Sequence, residues 1–523
     1  MCGIVAVMPA DPAVAHASLT AMRHRGPDSA GLIEEAGVSL GIARLAITDR
    51  EHGDQPLRSR SGQTVAVFNG AIYNDRQLIE NFALRPLSGN DGAVLVELYE
   101  THGLAFVDHL EGMFTVCLLD VTTGLLVVAV DPSGIKQAYI ARTDAGWVVC
   151  STVEAIPATA RANAFRVAPG TVWTSDGIVT AGRQRIRNGS LHHLLVRAVD
   201  DQIPREVPWA CMLSGGLDSS LIAAIAARDR RCVRTYTAYV GTGPDVLAAR
   251  EVARIIGADH REVVIDEQDI LTTIDKVIAA IGSPDVYTVL GGIGTWAVAE
   301  AAAEDGIKVL LSGEGADEIF GGYGFYADLP EGMAEAWMRF DEDDLGAREC
   351  LRLDRCTMAH SVEARVPYLD PSIVAHAHGL SLKSKIDRAD GILRQKGALR
   401  TAGRQFLPAH IAERQKLPFP DGAGYLDTVG RMAASRIRER DLSALFDNPV
   451  AADFLRQAPD MQGHGLKTAA YFWCRWSLLR ADLKGDYPGL VDRGVLRRSL
   501  RHGTYDTNRF AAHLNRYTEQ STR

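Results

Sequence analysis

The sequence lacks several features that would assign it to particular protein classes. It has no uninterrupted apolar run approaching the ~18 residues that a membrane-spanning helix needs. Its first residues lack the basic start and apolar core of a secretion signal. The formal net charge of -9 disfavours a nucleic-acid-binding surface, which needs a basic patch. We therefore expect a cytoplasmic protein that binds neither membranes nor nucleic acids.

Paired cysteines are also missing. The eight cysteines form no CxxC pair, so the sequence predicts neither a zinc site nor a disulfide framework. Reduced and mostly buried thiols fit a cytoplasmic protein. Only Cys2 stands out, because of its position directly after the initiator methionine.

The chain has two different textures along its 523 residues. Up to about residue 180, short apolar runs broken by Gly, Asp and Asn predict β-strands in stacked sheets, with a few helices between them. The polar and basic stretch Ala181 to Ser190 is interpreted as a linker. We therefore predict one domain over residues 1–185 and a second over 190–523. The clearest predicted strands and helix of the first domain are Val65 to Phe68, Phe114 to Leu119, Leu125 to Val130 and helix Val94 to His102.

In the second domain, apolar stretches alternate with Ala-rich helical segments, which predicts a parallel sheet with helices on both faces. Beyond Asp341 the pattern is mainly helical. The acidic run Asp341 to Asp344 is interpreted as a solvated loop rather than a metal site, because nothing nearby in sequence supplies other ligands. The predicted strands are Ala210 to Leu213, Val233 to Val240 and Lys308 to Leu311, and the predicted helices are Leu221 to Arg228 and Leu247 to Ile256.

Cys2 would carry both a thiol and the chain's α-amine once the methionine is removed. That amine titrates near ~7.7–8.0, so it can accept the thiol proton at neutral pH. Acyl chemistry also needs hydrogen-bond donors for the developing oxyanion, and Asn69 and Gly70 in the segment FNGAIYN are candidates. Arg44 and Asp91 are candidates for binding the carboxylate and ammonium of an amino-acid substrate.

The N-terminal motifs resemble the class II glutamine amidotransferase domain. They are MCGI, HRGPD (His24 to Asp28), RLAITD (Arg44 to Asp49), NGAIYN (Asn69 to Asn74), LEGMF (Leu110 to Phe114) and SGIK (Ser133 to Lys136). The resemblance implies an N-terminal-nucleophile hydrolase with a four-layer αββα fold. It also implies Cys2 as nucleophile, Asn69 and Gly70 as oxyanion hole, and glutamine bound by Arg44, Asn69, Gly70 and Asp91.

One position departs from the family pattern. The related synthetases usually read NGEIYN, with a glutamate that helps to bind the ammonium of glutamine, and this sequence has Ala71 there. Losing one charge-assisted hydrogen bond, of roughly 1.5–3 kcal/mol, would raise KM about ten- to a hundredfold. We therefore expect weaker glutamine binding. The alternative is a vestigial domain that only covers a passage.

A second motif, CMLSGGLDSS, runs from an apolar strand through a glycine turn into a helix. Ser214, Gly215 and Gly216 would direct backbone amides into one concavity at a helix N-terminus, and Ser219 adds a hydroxyl. Asp218 beside the phosphates is a candidate magnesium ligand. There is no lysine of the GxxxxGK[ST] type.

An acidic motif, SGEGADEIFGGY, follows the apolar segment KVLL. Asp317 is a candidate to complete the magnesium shell with Asp218, since Mg²⁺ typically takes one or two carboxylates plus phosphate oxygens. Glu314 is a candidate to contact the acceptor or to handle a proton. The alternative, a solvated acidic turn, explains neither its four glycines nor the apolar strand before it.

The first of these two motifs, SGGLDSS, resembles the PP-loop of ATP pyrophosphatases. Together with LDRCTMAHSVEARVPYLD (Leu353 to Asp370) and ERQKLPFPDGAG (Glu413 to Gly424), the two motifs resemble the synthetase domain of glutamine-hydrolysing asparagine synthetase. The resemblance implies ATP and Mg²⁺, an acyl-adenylate intermediate, release of pyrophosphate, Lys416 near the activated carboxyl, and a possible homodimer. The implied ATP-binding residues are Leu213, Ser214, Gly215, Gly216, Asp218, Ser219, Ala238, Ser312 and Gly313, and the implied catalytic residues here are Glu314 and Lys416.

The acceptor acid stays open at this point. Where asparagine synthetases carry a stretch like DVTTIRASTP, this sequence reads DVYTVLGGIG, with Leu290, Gly292 and Gly294 in place of arginine, serine and proline. An unpaired buried carboxylate is costly, so aspartate would need other partners. The alternatives are a different carboxylic acid from specialised metabolism or a catalytically silent nucleotide-binding regulator.

Overall fold

The architecture is seen in a computed structural model. It describes residues 2–177, 179–182, 185–230, 233–241, 243–389, 392–415, 423–424, 426–456, 458 and 465–479. The N-terminal part consists of antiparallel sheets and the C-terminal part of a parallel sheet with helices. The predicted two-part α/β fold is therefore confirmed.

The N-terminal part contains two six-stranded sheets, with strand orders β10-β8-β9-β1-β3-β2 and β12-β11-β7-β6-β5-β4. The strands are β1 (Gly3–Met8), β2 (Ser29–Glu35), β3 (Val38–Arg44), β4 (Leu57–Arg58), β5 (Thr64–Ile72), β6 (Gly112–Asp120), β7 (Leu125–Val130), β8 (Tyr139–Arg142), β9 (Trp147–Cys150), β10 (Ala164–Arg166), β11 (Thr171–Thr174) and β12 (Val179–Ala181). The helices are α1 (Pro12–Ala21), α2 (Asp75–Phe82) and α3 (Val94–His102).

The two sheets face each other, and helices cover both outer faces. Side chains alternate across β5: Val65 and Val67 pack between the sheets, whereas Ala66 and Phe68 pack against the cluster that contains α3. Helix α1 packs on the outer face of the first sheet. This is the predicted αββα arrangement, and it explains why the strands read as apolar runs, since both faces of each sheet are buried.

The C-terminal part contains a parallel sheet of five strands in the order β15-β14-β13-β16-β17, and a two-stranded hairpin. The strands are β13 (Trp209–Met212), β14 (Arg234–Tyr239), β15 (Asp259–Val264), β16 (Val309–Leu311), β17 (Glu363–Arg365), β18 (Asp387–Ala389) and β19 (Ile392–Arg394). The helices are α4 (Leu191–Gln202), α5 (Leu217–Ala227), α6 (Pro244–Ile256), α7 (Ile270–Ile281), α8 (Val286–Glu304), α9 (Ala316–Phe320), α10 (Glu331–Asp344), α11 (Glu349–Met358), α12 (Pro371–His378), α13 (Leu382–Lys385), α14 (Gly397–Gly403), α15 (Ala409–Ala412), α16 (Leu426–Ser435), α17 (Glu439–Phe446), α18 (Pro449–Leu455) and α19 (Gly465–Leu479).

Helices pack on both faces of the parallel sheet. Ala210 and Leu310 face the cluster formed by α7 and α8, while Cys211 and Leu311 face the cluster formed by α4 and α5. The strand order reverses between β13 and β16, which are adjacent and parallel. Open α/β sheets bind ligands at the carboxyl ends of the strands beside such a reversal. This geometry brings the segments that follow β13 and β16 to the same crevice.

Three sequence interpretations need correction. The acidic run Asp341 to Asp344 is not a solvated loop: it forms the last turn of α10, and Asp341 and Asp344 are buried. Tyr326 Oη donates a hydrogen bond of 2.6 Å to Asp341 Oδ2, so tertiary contacts override the polar appearance of the run. The segment Glu363–Arg365 was not predicted as a strand, yet it pairs with β16.

The third correction concerns the expectation that no apolar segment approaches the length of a membrane-spanning helix. Within the described residues, helix α8 is long and apolar enough to span a membrane by length and composition. However, 72% of its most apolar window is buried inside the protein, as in a core helix.

A buried ion cluster joins the N-terminal and C-terminal parts. Asp354 on α11 lies 2.9 Å from Arg25 Nη1 and 3.4 Å from Lys136 Nζ. Although burial raises it, these two cations lower the pKa of Asp354 to about 2. Arg25 also donates from Nε to the carbonyl oxygen of Cys2 at 3.1 Å. The position of Cys2 is therefore tied to the C-terminal part.

Residues 185–190 of the predicted linker are mostly exposed, and β12 includes its first residue, Ala181. Arg187 Nε donates to Glu111 Oε1 at 2.8 Å, and Arg197 of α4 donates to Glu111 Oε2 at the same distance. The linker is thus anchored by ion pairs.

Candidate active sites

The first candidate site lies around Cys2, just before β1. The thiol-bearing residue is 6% exposed, and its backbone N–H donates to Asn69 Oδ1 at 2.8 Å. Asn69 comes from β5 in the opposite sheet, so the contact spans the two sheets. The structure therefore brings Cys2 and Asn69 together.

Gly70 follows Asn69 at a position that only glycine can occupy. Its φ is +155°, and an added Cβ would lie 2.0 Å from the carbonyl oxygen of Met113 on the neighbouring strand β6. The close approach of these strands leaves the Gly70 backbone lining the Cys2 pocket. This fits the predicted oxyanion-hole position.

Arg44 and Asp91 line the same pocket. The guanidinium of Arg44 is held by Asp54 at 2.9 Å and by the carbonyl oxygens of Thr48 and Asp49 at 3.1 and 2.7 Å. Asp91 Oδ2 accepts a hydrogen bond of 2.7 Å from the backbone N–H of Ile72. Burial raises the pKa of Asp91 to about 6.

The Cys2 thiol itself is in an environment that disfavours the thiolate. Burial raises the pKa of Cys2, and the positive amino terminus acts in the opposite direction. A thiol with a raised pKa needs a base to become a nucleophile. The sequence assigns that task to the α-amine of Cys2, which would exist once the initiator methionine is removed, and this assignment stays a prediction.

Two residues of the C-terminal part also line this pocket, and sequence reasoning did not assign them a role. Glu363 and Arg365 of β17 are both buried, and Arg365 Nε donates to Glu363 Oε1 at 2.6 Å. They lie in the motif SVEARVPYLD, where two charges alternate with alanine. That alternation was the available signal. In a strand, side chains two positions apart point to the same face, so Glu363 and Arg365, once buried, would have to pair with each other.

Ala71, the position that departs from the family pattern, is 5% exposed and borders the Cys2 pocket. It also belongs to an apolar cluster that both parts of the protein form, which we call the connecting cluster. Its buried members are Ala71, Met113, Ile135, Leu345, Cys350, Leu353, Ala364, Val366 and Leu369.

The second candidate site is a cavity at the carboxyl ends of β13 and β16. It contains most of the predicted ATP-binding residues, together with Glu314 and Asp317. The predicted residues that line it are Leu213, Ser214, Asp218, Ser219, Ala238, Ser312, Gly313, Glu314 and Asp317.

The glycine turn after β13 is packed against α6. Gly215 has a φ of +76°, and an added Cβ would lie 2.5 Å from the backbone nitrogen of Ala249. Gly216 precedes the first residue of α5, and its N–H donates to Ser214 Oγ at 3.3 Å. Gly215 therefore packs the loop against α6. Neither Gly215 nor Gly216 is among the residues that line the cavity, whereas Ser214 and Ser219 are, with their hydroxyl oxygens 2.9 Å apart.

Asp218 and Asp317 converge on a lysine that sequence reasoning missed. Lys396 Nζ lies 2.5 Å from Asp218 Oδ2 and 2.6 Å from Asp317 Oδ1, and the lysine side chain is 2% exposed. Lys396 has a φ of +58°, an uncommon conformation for a residue with a side chain. Gly322 makes room for this contact, since its Cβ would meet both Asp317 and Lys396.

The sequence carries no clear signal for Lys396, because it lies outside the recognised motifs and 178 residues from Asp218. Lys416, which was predicted to lie near the activated carboxyl, falls outside the described residues. Its neighbour Arg414 is described: it donates to the carbonyl oxygen of Gly215 at 3.0 Å and pairs with Asp245 at 2.6 Å.

Comparisons with known proteins agree with this arrangement. A family model described as "Glutamine amidotransferase domain" matches residues 1–169, and one described as "Asparagine synthase" matches residues 190–344 and 334–484.

Among similar proteins, asparagine synthetase [glutamine-hydrolyzing] 1 of Lotus japonicus is 32% identical over 483 residues, covering 84% of this chain and 81% of that protein. Asparagine synthetase [glutamine-hydrolyzing] of Asparagus officinalis is 34% identical, covering 80% of this chain and 76% of that protein. Asparagine synthetase [glutamine-hydrolyzing] 3 of Arabidopsis thaliana is 34% identical, covering 81% and 79%.

Proposed function

We propose that this chain, which belongs to the glutamine-hydrolysing asparagine synthetase family, releases ammonia from glutamine at Cys2 and uses it to amidate an acid activated by ATP. Members of the family are ATP-dependent ligases, and glutamine-dependent amidation is the activity they share. The acid that we propose first is aspartate, with asparagine as the product. The connecting cluster is the observation that carries the proposal, because it joins the two candidate sites.

At the first site, the Cys2 thiol attacks the side-chain amide carbon of glutamine after its proton passes to the α-amine. Ammonia leaves, a thioester forms, and water then releases glutamate. Asn69 and the Gly70 backbone would stabilise the oxyanion in both steps. Arg44 would bind the carboxylate of glutamine and Asp91 its ammonium.

At the second site, an oxygen of the acceptor carboxylate attacks the α-phosphorus of ATP, and pyrophosphate leaves. Ammonia then attacks the acyl carbon, AMP leaves, and the surplus proton passes to a nearby base, for which Glu314 is the candidate. The loop from Leu213 to Gly216 would bind phosphates through its amides and hydroxyls.

The positions of Asp218 and Asp317 fit a magnesium ion. Lys396 Nζ lies within 2.6 Å of a carboxylate oxygen of each, so both side chains face one cationic position. Two carboxylates with phosphate oxygens are a typical Mg²⁺ ligand set. Magnesium bound there would neutralise phosphate charge, and Lys396 would add a fixed positive charge beside it.

We propose that the connecting cluster marks the route by which ammonia passes between the sites. At one end, Ala71 borders the Cys2 pocket. At the other, Met212 packs on the cluster and also lines the ATP cavity, and Leu369 lies 2.4 Å from where a Cβ of Gly315 would be. Ammonia is nucleophilic only when neutral, and an apolar route favours the neutral form over ammonium.

The test measures pyrophosphate release from ATP with ammonia as nitrogen source and a panel of carboxylic acids. Release with aspartate supports asparagine synthesis, and release only with another acid would replace aspartate while keeping the reaction. No release with any acid would refute the proposal and favour a silent nucleotide-binding regulator.

The nucleophile is tested separately. Cys2→Ala should abolish glutamine-dependent product formation and retain ammonia-dependent formation. Cys474→Ala is the matched control, because this partly exposed cysteine lies in α19, outside both sites. Glutamine use that survives in Cys2→Ala would remove Cys2 from the mechanism.

A further inference from the structure

One face of α8 forms a wall of the ATP cavity. The residues on this face are separated by four, four and three positions, the spacing of one side of a helix. They are Tyr287, Gly291, Thr295 and Val298.

Other positions of the unusual stretch on α8 face away from the cavity. Leu290 is 1% exposed and belongs to the apolar core between the helices. A Cβ on Gly292 would lie 2.5 Å from Val277 of α7, so this glycine allows close helix packing. Of the stretch from Leu290 to Gly292, only Gly291 lines the cavity.

Arg352 of α11 crosses the bare backbone of Gly291. A Cβ at Gly291 would lie 2.0 Å from Arg352 Nη1 and 3.0 Å from its Cζ. The Nη2 group of the same guanidinium forms a salt bridge with Glu314, and both side chains line the cavity. The absence of a side chain at position 291 is therefore what allows the guanidinium to lie in this place.

The cavity is lined by many acidic side chains. Among its described lining residues, Arg352 is the only lysine or arginine. The positive charges of Lys396 and Arg414 are directed to Asp218, Asp317 and Asp245. The acidic lining residues are Asp218, Asp245, Glu314, Asp317, Glu318 and Glu349.

This charge distribution poses a problem for the proposed reaction. The acceptor must bring a carboxylate into a cavity whose own carboxylates repel it, and such repulsion is strong where water is excluded. A cation on the acceptor side is required to offset it. Arginine suits this task, because its planar group presents five N–H donors and can bind two carboxylates along different edges.

We propose, on the footing of the amidation reaction proposed above, that Arg352 binds the carboxylate of the acceptor acid. Gly291 is then a specificity-determining position, because it admits the guanidinium that recognises the acid. Glu314 orients the guanidinium through Nη2, and the bare backbone of Gly291 leaves room for the guanidinium at the cavity wall.

The experiment measures KM for the acceptor acid and for ATP by pyrophosphate release with ammonia. The probe is L-aspartate, or whichever acid of the panel gives the highest release with the wild-type protein. Arg352→Lys keeps the positive charge but loses the planar guanidinium with its several N–H donors. Gly291→Ala keeps the arginine but displaces its guanidinium. Both should raise KM for the acid about ten- to a hundredfold, the loss expected for a charge-assisted hydrogen bond, and leave KM for ATP within about twofold.

The matched control is Gly332→Ala. This glycine lies on the exposed side of α10, and an added Cβ would meet no atom within 4 Å. It should leave both KM values unchanged. Hydrolysis of glutamine alone serves as a folding control, since Cys2 lies in the other pocket.

A double-mutant cycle distinguishes contact from general damage. In an Arg352→Gln background, Gly291→Ala should have little further effect on KM for the acid, because the group that it displaces is gone. Additive effects would overturn the inference. An unchanged KM for the acid in Arg352→Lys, with only kcat lowered, would also overturn it and make Arg352 a positioning residue for Glu314. If none of the acids in the panel makes the wild-type protein release pyrophosphate, the proposed function fails first, and the inference fails with it.

Discussion

Removing the charge of Asp354 should uncouple the two parts of the protein. Its carboxylate lies between Arg25 and Lys136, all three side chains are at most 3% exposed, and each cation is within 3.4 Å. Asp354→Asn keeps the shape of the side chain but leaves two buried cations facing each other. Breaking a buried ion pair by removing one partner costs about 3–5 kcal/mol.

The pKa of Asp354 gives a second measure of the same effect. A fall from 3.8 to about 2 corresponds to about 2–3 kcal/mol of preference for the ionised form in the folded protein. Because this pKa is lowered on folding, the stabilisation is present above about pH 4 and is lost as pH falls toward 2. Both measures therefore predict a loss of a few kcal/mol at neutral pH.

The assay is urea denaturation at pH 7, with glutamine hydrolysis measured in parallel. Asp354→Asn should lower the denaturation midpoint, and it should weaken glutamine hydrolysis because Arg25 also binds the Cys2 carbonyl. Asp427→Asn is the matched control: Asp427 forms an exposed pair with Arg431, for which about 0–1 kcal/mol is expected. Equal midpoints for the two variants would refute this account of the interface.

Three further predictions concern the active sites. KM for glutamine should rise as pH falls through about 6, where Asp91 takes up a proton and loses its attraction for ammonium, and kinetics of Asp91→Asn should show no such rise. Gly70→Ala, whose Cβ would meet the Met113 carbonyl, should lower glutamine hydrolysis about 10²–10³-fold while ammonia-dependent synthesis persists; equal loss of both activities would indicate misfolding instead. Lys396→Met should lower pyrophosphate release about 10²–10³-fold with glutamine hydrolysis intact, and normal release would exclude a role for this lysine at the phosphates.

Local patterns in the sequence were sufficient for much of the fold. Helix α3 and strand β7 have the predicted bounds, Val94–His102 and Leu125–Val130, because period and turn residues are local signals. The role of Cys2 was predicted from its position together with the motifs HRGPD, RLAITD and NGAIYN, and it stays a prediction.

What the sequence could not predict came from charges brought in by distant elements. Lys396 is 178 residues from Asp218, and no local pattern links them. Glu363 and Arg365 reach the Cys2 pocket only because β17 joins the far edge of the parallel sheet. Similarly, the sequence indicated a solvated Asp341, because its hydrogen-bond partner, Tyr326, lies 15 residues away in the chain.

The contact between Arg25 and the Cys2 carbonyl has a consequence for dissecting the protein. An isolated N-terminal fragment would lose Asp354, so Arg25 and Lys136 would repel each other beside Cys2. It would also lose the wall that Glu363 and Arg365 provide. The N-terminal part is thus not an independent module. Although its sheets and helices are its own, the C-terminal part holds the residues around Cys2 in place, and exchange between relatives would require transferring α11 and β17 as well.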